Sequence, residues 1–213
     1  MESKLARANI LHKITEALKN PVAMPFPEQI SDRPVFIPNE NELAIEFAEK
    51  FTSLLGKFVY CENESELVNK LAQLIHAHKW DKIYSVESGW LDDMKEYSFD
   101  PVTTDDLAAC DASITLCEHL IARTGTIVLS SQQLSGRTTS VYAPIHICIA
   151  YTHQLVFDIS DSLTQFKKEM DTLPSMISFA TGPSRTADIE KTLVVGVHGP
   201  KEVYCFLVDK LLD

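Results

Sequence analysis

The stretch that decides the fold is Lys57–Val86, KFVYCENESELVNKLAQLIHAHKWDKIYSV. Its first and last five residues are rich in β-branched and aromatic side chains, which favour strands. Between them Leu67 and Leu71 begin an apolar stripe at helical spacing, and Asn63 with Glu66 has the spacing of a helix cap. The stretch therefore predicts a β-α-β unit.

Further strand-like runs recur along the chain, and several of them are nearly continuously apolar, as is typical of strands that are covered on both faces. These runs are Ala112–Leu116, Thr126–Ser130, Ile145–Tyr151, Met176–Ala180, Leu193–Val197 and Val203–Val208. Helical patterns occur at about residues 3–19, 40–55 and 161–170. Together these elements predict an α/β fold, a three-layer α/β/α sandwich with a mostly parallel sheet.

The domain organisation follows from the prolines. Five of them fall between Asn20 and Pro38, where they block regular helix and central strand. We therefore expect an N-terminal helix and a proline-rich connector in residues 1–38, followed by one α/β domain in residues 39–213.

Composition excludes several classes of function. With 30 acidic and 19 basic side chains the net charge is −11, which repels nucleic acid. No apolar run approaches the roughly 20 residues that a bilayer requires, and no secretory h-region is present, so we expect no membrane insertion. The five cysteines form no C-x-x-C pair, which indicates reduced thiols in the cytoplasm and no compact iron–sulfur motif.

The sequence also lacks the common cofactor signatures. G-x-G-x-x-G, the P-loop and G-x-S-x-G are all absent, and the histidines and cysteines show no metal-ligand spacing. We therefore expect no metal site and no cofactor held by this chain.

The strongest candidate site is the loop Thr181–Glu190, TGPSRTADIE, which follows a strand-like run. Ligands of open α/β sheets bind beyond the carboxyl ends of strands, so polar residues there have functional meaning. Gly182 permits close backbone approach, and Arg185 has a planar fork that suits a carboxylate or phosphate. Ser184 and Thr186 add hydroxyl donors, so the loop predicts an anion receptor. The alternative is that Arg185 pairs with an acidic residue of its own loop, Asp188 or Glu190.

A second glycine turn, Ala122-Arg-Thr-Gly-Thr126, contributes Thr124 and Gly125 to the predicted anion site. Glu118 precedes this turn and is the candidate catalytic residue, as a general base, nucleophile or hydrogen-bond acceptor. Alternatively, Glu118 is a solvated cap or a partner of Arg123.

Three further residues are candidates for anion binding. His146 lies inside a strand-like run and needs a hydrogen-bond partner, either in the core or on a ligand. His198 stands between glycine-bearing turns, where ligand contact and a loop-fixing hydrogen bond are equally plausible. Arg137 ends the polar loop Ser130–Gly136, which is otherwise a solvent-exposed turn.

Four motifs resemble the signature of the LUD domain family and occur in the same order. They are Ile121–Thr126, Pro144–Ile147, Thr181–Glu190, and Gly-Val-His-Gly-Pro200 with Lys201 and Glu202. The resemblance covers about residues 60–210. It implies a fold similar to the NagB/RpiA/CoA-transferase group.

Members of that family are associated with a three-protein system that oxidises L-lactate to pyruvate, in which companion proteins carry iron–sulfur clusters. The resemblance therefore implies a cytoplasmic, non-cluster subunit that binds a small carboxylate or phosphate-bearing ligand, with iron–sulfur partners and possible homo-oligomerisation. Two alternatives stay open: a stand-alone enzyme acting on a phosphorylated sugar or CoA thioester, and an anion-sensing scaffold. The resemblance supplies no reaction, so whether the chain is an enzyme stays undecided.

Overall fold

The structure, a computed structural model, describes residues 2–20, 36, 42–186 and 194–209. Internal contacts divide the chain into two units, Met1–Pro38 and Asn39–Asp213. In the first unit, helix α1 spans Glu2–Leu18, where the sequence predicts a helix. The proline-rich connector lies outside the described residues, apart from Asn20 and Phe36.

The helices of the second unit are α2 Leu43–Ser53, α3 Glu64–His78, α4 Ser88–Lys95, α5 Thr139–Tyr142 and α6 Ile159–Glu169. Its strands are β1 Lys57–Cys61, β2 Ile83–Tyr84, β3 Ala112–Thr115, β4 His119–Ile121, β5 Thr126–Ser130, β6 Ile145–Tyr151, β7 Leu155–Val156, β8 Ile177–Ala180, β9 Arg185–Thr186, β10 Val194–Val195 and β11 Glu202–Val208.

The central sheet has five parallel strands in the order β1-β11-β6-β3-β2. The predicted β-α-β unit is present, but its two strands form opposite edges of the sheet, so α3 leads from one edge to the other. The side chain of Asn63 accepts a hydrogen bond from the Glu66 amide at 2.9 Å and caps α3, as predicted.

Alternate residues of the two middle strands enter two separate cores. On β6, Ile147 and Ile149 pack with side chains of α3 and α4 on one face of the sheet. Cys148 and Ala150 face the other side, where they pack with Phe51 of α2 and with the second sheet. Burial on both faces explains why these strands are apolar at nearly every position. The predicted three-layer α/β sandwich with a mostly parallel central sheet is confirmed.

A second sheet of four strands, β7-β4-β5-β8, was not distinguished in the sequence. Within it β5 pairs antiparallel to both β4 and β8, while β4 and β7 are parallel. Helix α6 covers this sheet through Phe166, which is buried against Ile121, Val128 and Val156. Strand β8 lies where the sequence predicts a strand-like run, Met176–Ala180, and it is only half-buried.

All five cysteines are unpaired and buried. Burial raises the pKa of the Cys61 thiol to about 11. None of the helices within the described ranges has the length and apolar character that a membrane span requires.

Candidate functional site

The predicted loop lies against the start of the central sheet. The Ser184 amide donates to the carbonyl of Pro200 at 3.0 Å, and the Gly196 amide donates to the carbonyl of Ser184 at 2.9 Å. The Lys201 amide in turn donates to the carbonyl of Pro144 at 2.8 Å. Pro144 and Pro200 shortly precede β6 and β11, so these backbone bonds join the loop to the amino ends of two parallel strands.

This placement corrects the expectation that the site lies at the carboxyl edge of the sheet. Ligands bind beyond the carboxyl ends of strands when the loop follows a strand of the parallel sheet itself. The strand before the loop, β8, instead belongs to the second sheet, where it pairs antiparallel to β5. The loop consequently reaches the amino edge of the central sheet.

At this edge lies a cavity of about 460 Å³, which we call the anion cleft. It brings together five of the predicted anion-binding residues: His146, Gly182, Ser184, Arg185 and His198. Among the described residues, its lining includes no Asp or Glu. In a chain with 30 acidic and 19 basic side chains, a lining with Arg185 and no described carboxylate favours an anionic ligand.

Arg185 is the cation of the anion cleft. Its side chain is exposed, and Nη2 donates to the carbonyl of Thr181 at a long 3.5 Å. Within the described residues it makes no ion pair. Its possible partners Asp188 and Glu190 lie outside the described residues, so that alternative is untested. The described geometry leaves most of the five guanidinium N–H donors available to a ligand.

His146 forms an inner wall of the cleft. Only 1% of the residue is exposed, and Nε2 shares a hydrogen bond of 2.8 Å with Oγ1 of Thr115 on β3. Burial lowers the pKa of His146 to about 4, because a charged imidazole would lose its hydration there. The ring is therefore neutral near pH 7, and it contributes shape and polarity without a positive charge.

His198 and Ser184 also line the anion cleft. His198 is exposed, and Ser184 contacts the backbone of Gly199 closely enough that a Cβ at that glycine would lie 2.8 Å from the Ser184 Cβ. Both side chains offer hydrogen-bonding groups to a bound anion.

The two predicted glycines pack against the end of α2. A Cβ at Gly182, where φ is +78°, would lie 2.5 Å from the carbonyl oxygen of Leu54. Gly125 lies in the same way against the backbone of Phe51 and is not in the lining of the anion cleft. Gly125 therefore has a packing role in this structure.

Thr124 reaches the cleft only through other hydroxyl groups. Its Oγ1 lies 2.7 Å from that of Thr126, which lies 2.9 Å from Oγ1 of Thr181 in the lining. Thr186, which is also outside the lining, pairs with Val194 in the short ladder of β9 and β10.

Glu118 and Arg137 are placed elsewhere. The hydroxyl group of Ser130 donates a hydrogen bond of 2.5 Å to Oε1 of Glu118, and Ser130 is fully buried. Arg137 is exposed and donates to Ser175 at 2.5 Å. Neither side chain lines the anion cleft, so the structure does not bring the candidate catalytic carboxylate together with Arg185.

The suggested partner of Glu118 is engaged in an ion pair. Arg123 donates to Oδ1 of Asp158 from Nη2 at 2.6 Å and from Nε at 3.0 Å. Asp158 also accepts from the Ile159 amide at the start of α6. The pair consequently joins the Gly125 turn to that helix.

Lys201 was not among the residues predicted from the sequence to bind an anion. It follows Pro200 directly, begins the segment that enters β11, and lines a second cavity beside the anion cleft. Its position between a Gly-Pro turn and a strand-like run is the feature of the sequence that could have identified it as a site residue. In the part of the chain that the structure describes, no cluster of His, Cys, Asp or Glu side chains could hold a metal ion.

Comparison with known proteins places this arrangement in a family. Residues 100–208 match the LUD domain and include every residue that lines the anion cleft. The solved structure of a DUF162 family protein from Deinococcus radiodurans superposes with a TM-score of 0.53 at 18% identity, covering 78% of this chain and 96% of that one. This likeness concerns the fold alone.

Lactate utilization protein C of Anoxybacillus flavithermus is 30% identical over 186 residues, which are 81% of this chain and 83% of that protein. The protein of the same name from Bacillus subtilis is 39% identical over 104 residues, 47% of this chain and 43% of that protein. This chain covers less than half of the length of the first relatives that it matches, 46% of one and 42% of the other. On the domain match and the long Anoxybacillus alignment, the chain belongs to the LUD domain family.

Proposed function

We propose that this protein acts in lactate utilization by binding a small carboxylate or another anion in the anion cleft. Its relatives from Bacillus subtilis and Anoxybacillus flavithermus carry the name lactate utilization protein C. The observation that carries the binding function is the lining itself, where Arg185, Ser184 and His198 stand without a described carboxylate. A carboxylate bound there gains charge-assisted hydrogen bonds.

The proposal includes the setting in which the protein works. It is a cytoplasmic component that holds no cofactor of its own, and the iron–sulfur clusters of the oxidation reside on partner proteins. The LUD domain match and the names of the relatives support the part of this proposal that concerns lactate utilization.

The binding function is tested by calorimetry with lactate and pyruvate at low salt, using wild type, Arg185→Met and Arg137→Met. Arg137 is the matched control because it is an exposed arginine outside the cleft. We expect Arg185→Met to weaken binding about tenfold or more, since it removes a charge-assisted pair. Arg137→Met should bind as wild type does.

Both variants should retain the unfolding midpoint of the wild type. Equal binding by wild type and Arg185→Met would contradict the proposal, and so would a loss of stability in place of affinity.

The cellular role is tested by deletion of the gene and by purification of the tagged protein from cells grown on L-lactate. We expect slow growth on lactate, normal growth on glucose, and co-purification of an iron–sulfur protein. Normal growth on lactate together with the absence of such a partner would rule out the role.

A further inference from the structure

Beside the anion cleft lies a second cavity of about 670 Å³, which we call the side chamber. It opens at the amino ends of three neighbouring strands of the central sheet. Cys110 precedes β3, Pro144 precedes β6 and Lys201 precedes β11, and all three residues line the chamber.

The side chamber and the anion cleft share part of their lining. Val141, His198 and Gly199 line both cavities, so the exposed imidazole of His198 stands where they meet. A ligand that reaches from Arg185 into the side chamber would therefore pass His198.

Lys201 is positioned for a ligand in the side chamber. Its amide is bonded to the carbonyl of Pro144, and its aliphatic stem lies against the Cα of Gly196, where a side chain would collide with it. Among the described residues its amine has no ion-pair partner. Other lysines do pair with carboxylates, namely Lys19, Lys57, Lys70 and Lys95.

The walls of the chamber are suited to a carbon skeleton. Tyr142 is 69% exposed, Val197 46% and Val141 41%, and all three border the cavity. Covering such apolar surface stabilises a complex in proportion to the area removed from water. Within the described residues the chamber, like the cleft, has no Asp or Glu in its lining.

The size of the two cavities indicates a ligand larger than a three-carbon acid. Each falls within the roughly 300–1,000 Å³ of sites that bind drug-sized molecules. A lactate or pyruvate ion would occupy only part of the anion cleft.

We propose that the side chamber extends the anion cleft, and that together they bind an elongated organic dianion. One acidic group pairs with Arg185, the carbon skeleton lies along Val141 and Tyr142, and the second acidic group pairs with Lys201. The inference rests on the proposed anion-binding function and specifies the ligand class of that site.

The test uses linear dicarboxylates from succinate to dodecanedioate, and the monocarboxylates of equal chain length, in calorimetry at low salt. At the chain length that spans both cations, we expect wild type to prefer the diacid about tenfold over its monoacid. Lys201→Met keeps the aliphatic stem and should remove this preference while it leaves monoacid affinity unchanged. Lys168→Met, at an exposed position of α6 outside both cavities, should behave as wild type.

The outcomes separate the two proposals. If Lys201→Met retains the preference, or if wild type binds monoacids and diacids equally, the dianion inference is overturned and the anion cleft stands. If wild type binds none of these acids, both fail. An unchanged unfolding midpoint of Lys201→Met shows that a lost preference reflects binding and not folding.

Discussion

The buried imidazole of His146 should make the stability of the protein depend on pH in a defined window. Its pKa is about 4 in the folded chain, against an ordinary value of 6.5. As the pH falls below 6.5, the unfolded chain takes up a proton that the folded chain refuses, so the free energy of unfolding decreases. The loss continues to about pH 4 and amounts to about 3 kcal/mol, while above pH 7 this contribution is constant.

The assay is urea unfolding at a series of pH values, followed by the fluorescence of the two tryptophans. His146→Gln removes the titration while it leaves an amide to pair with Thr115. We expect its free energy of unfolding to fall less steeply than that of wild type between pH 6.5 and 4.5.

Two other histidines provide the controls. Burial also lowers the pKa of His119, which hydrogen-bonds Ser162, but that contribution is present in both proteins and cancels in the comparison. His153 is exposed, and His153→Gln should retain the wild-type slope. Parallel stability curves for wild type and His146→Gln would refute the reasoning.

Three substitutions, together with one control, test the packing and the cap of α6. Gly125→Ala should lower the free energy of unfolding by more than about 1 kcal/mol, because φ is +61° and a Cβ would collide with the α2 backbone. The control Gly89→Ala has open space around it and should be neutral or slightly stabilising. Chemical denaturation of both variants measures the two effects. Phe166→Ala should cost about 3–5 kcal/mol in the same assay, and a loss below about 1 kcal/mol would show that α6 does not depend on this contact. Asp158→Ala removes both the cap of α6 and the partner of Arg123, so we expect the free energy of unfolding to fall by about 1–3 kcal/mol. Because only the ion pair is screened, 1 M salt should reduce this difference in part. If salt abolished the difference between the variant and wild type, the capping role would be contradicted.

Local patterns predicted the long elements well. The bounds of β5 and β6 agree with the predicted runs Thr126–Ser130 and Ile145–Tyr151, because burial on both faces leaves an apolar stretch that turns interrupt sharply. Short elements were missed: β4 has three residues and β7 two, which is too few for any periodicity. Helix α4, with eight residues, was missed as well.

Sheet membership was harder to predict, since it depends on distant residues. Nothing within residues 177–180 indicates that they pair with β5 rather than with the central sheet, and this error placed the loop at the wrong edge. The glycines and Arg185 were recognisable as a polar turn from their types alone. Arg137 was not assignable, because its partner Ser175 lies 38 residues away.

The five buried cysteines give the protein a built-in reporter of its own opening. Thiol reagents attack the thiolate, and burial both shields these sulfur atoms and raises the pKa of Cys61, Cys110 and Cys148. Alkylation of Cys61, Cys117, Cys148 and Cys205 in the native state should therefore require opening of the core, whereas Cys110 lines the side chamber. Because Cys61 lies in one core and Cys205 in the other, mass mapping of the alkylated peptides can show whether the two faces of the central sheet unfold together or in turn.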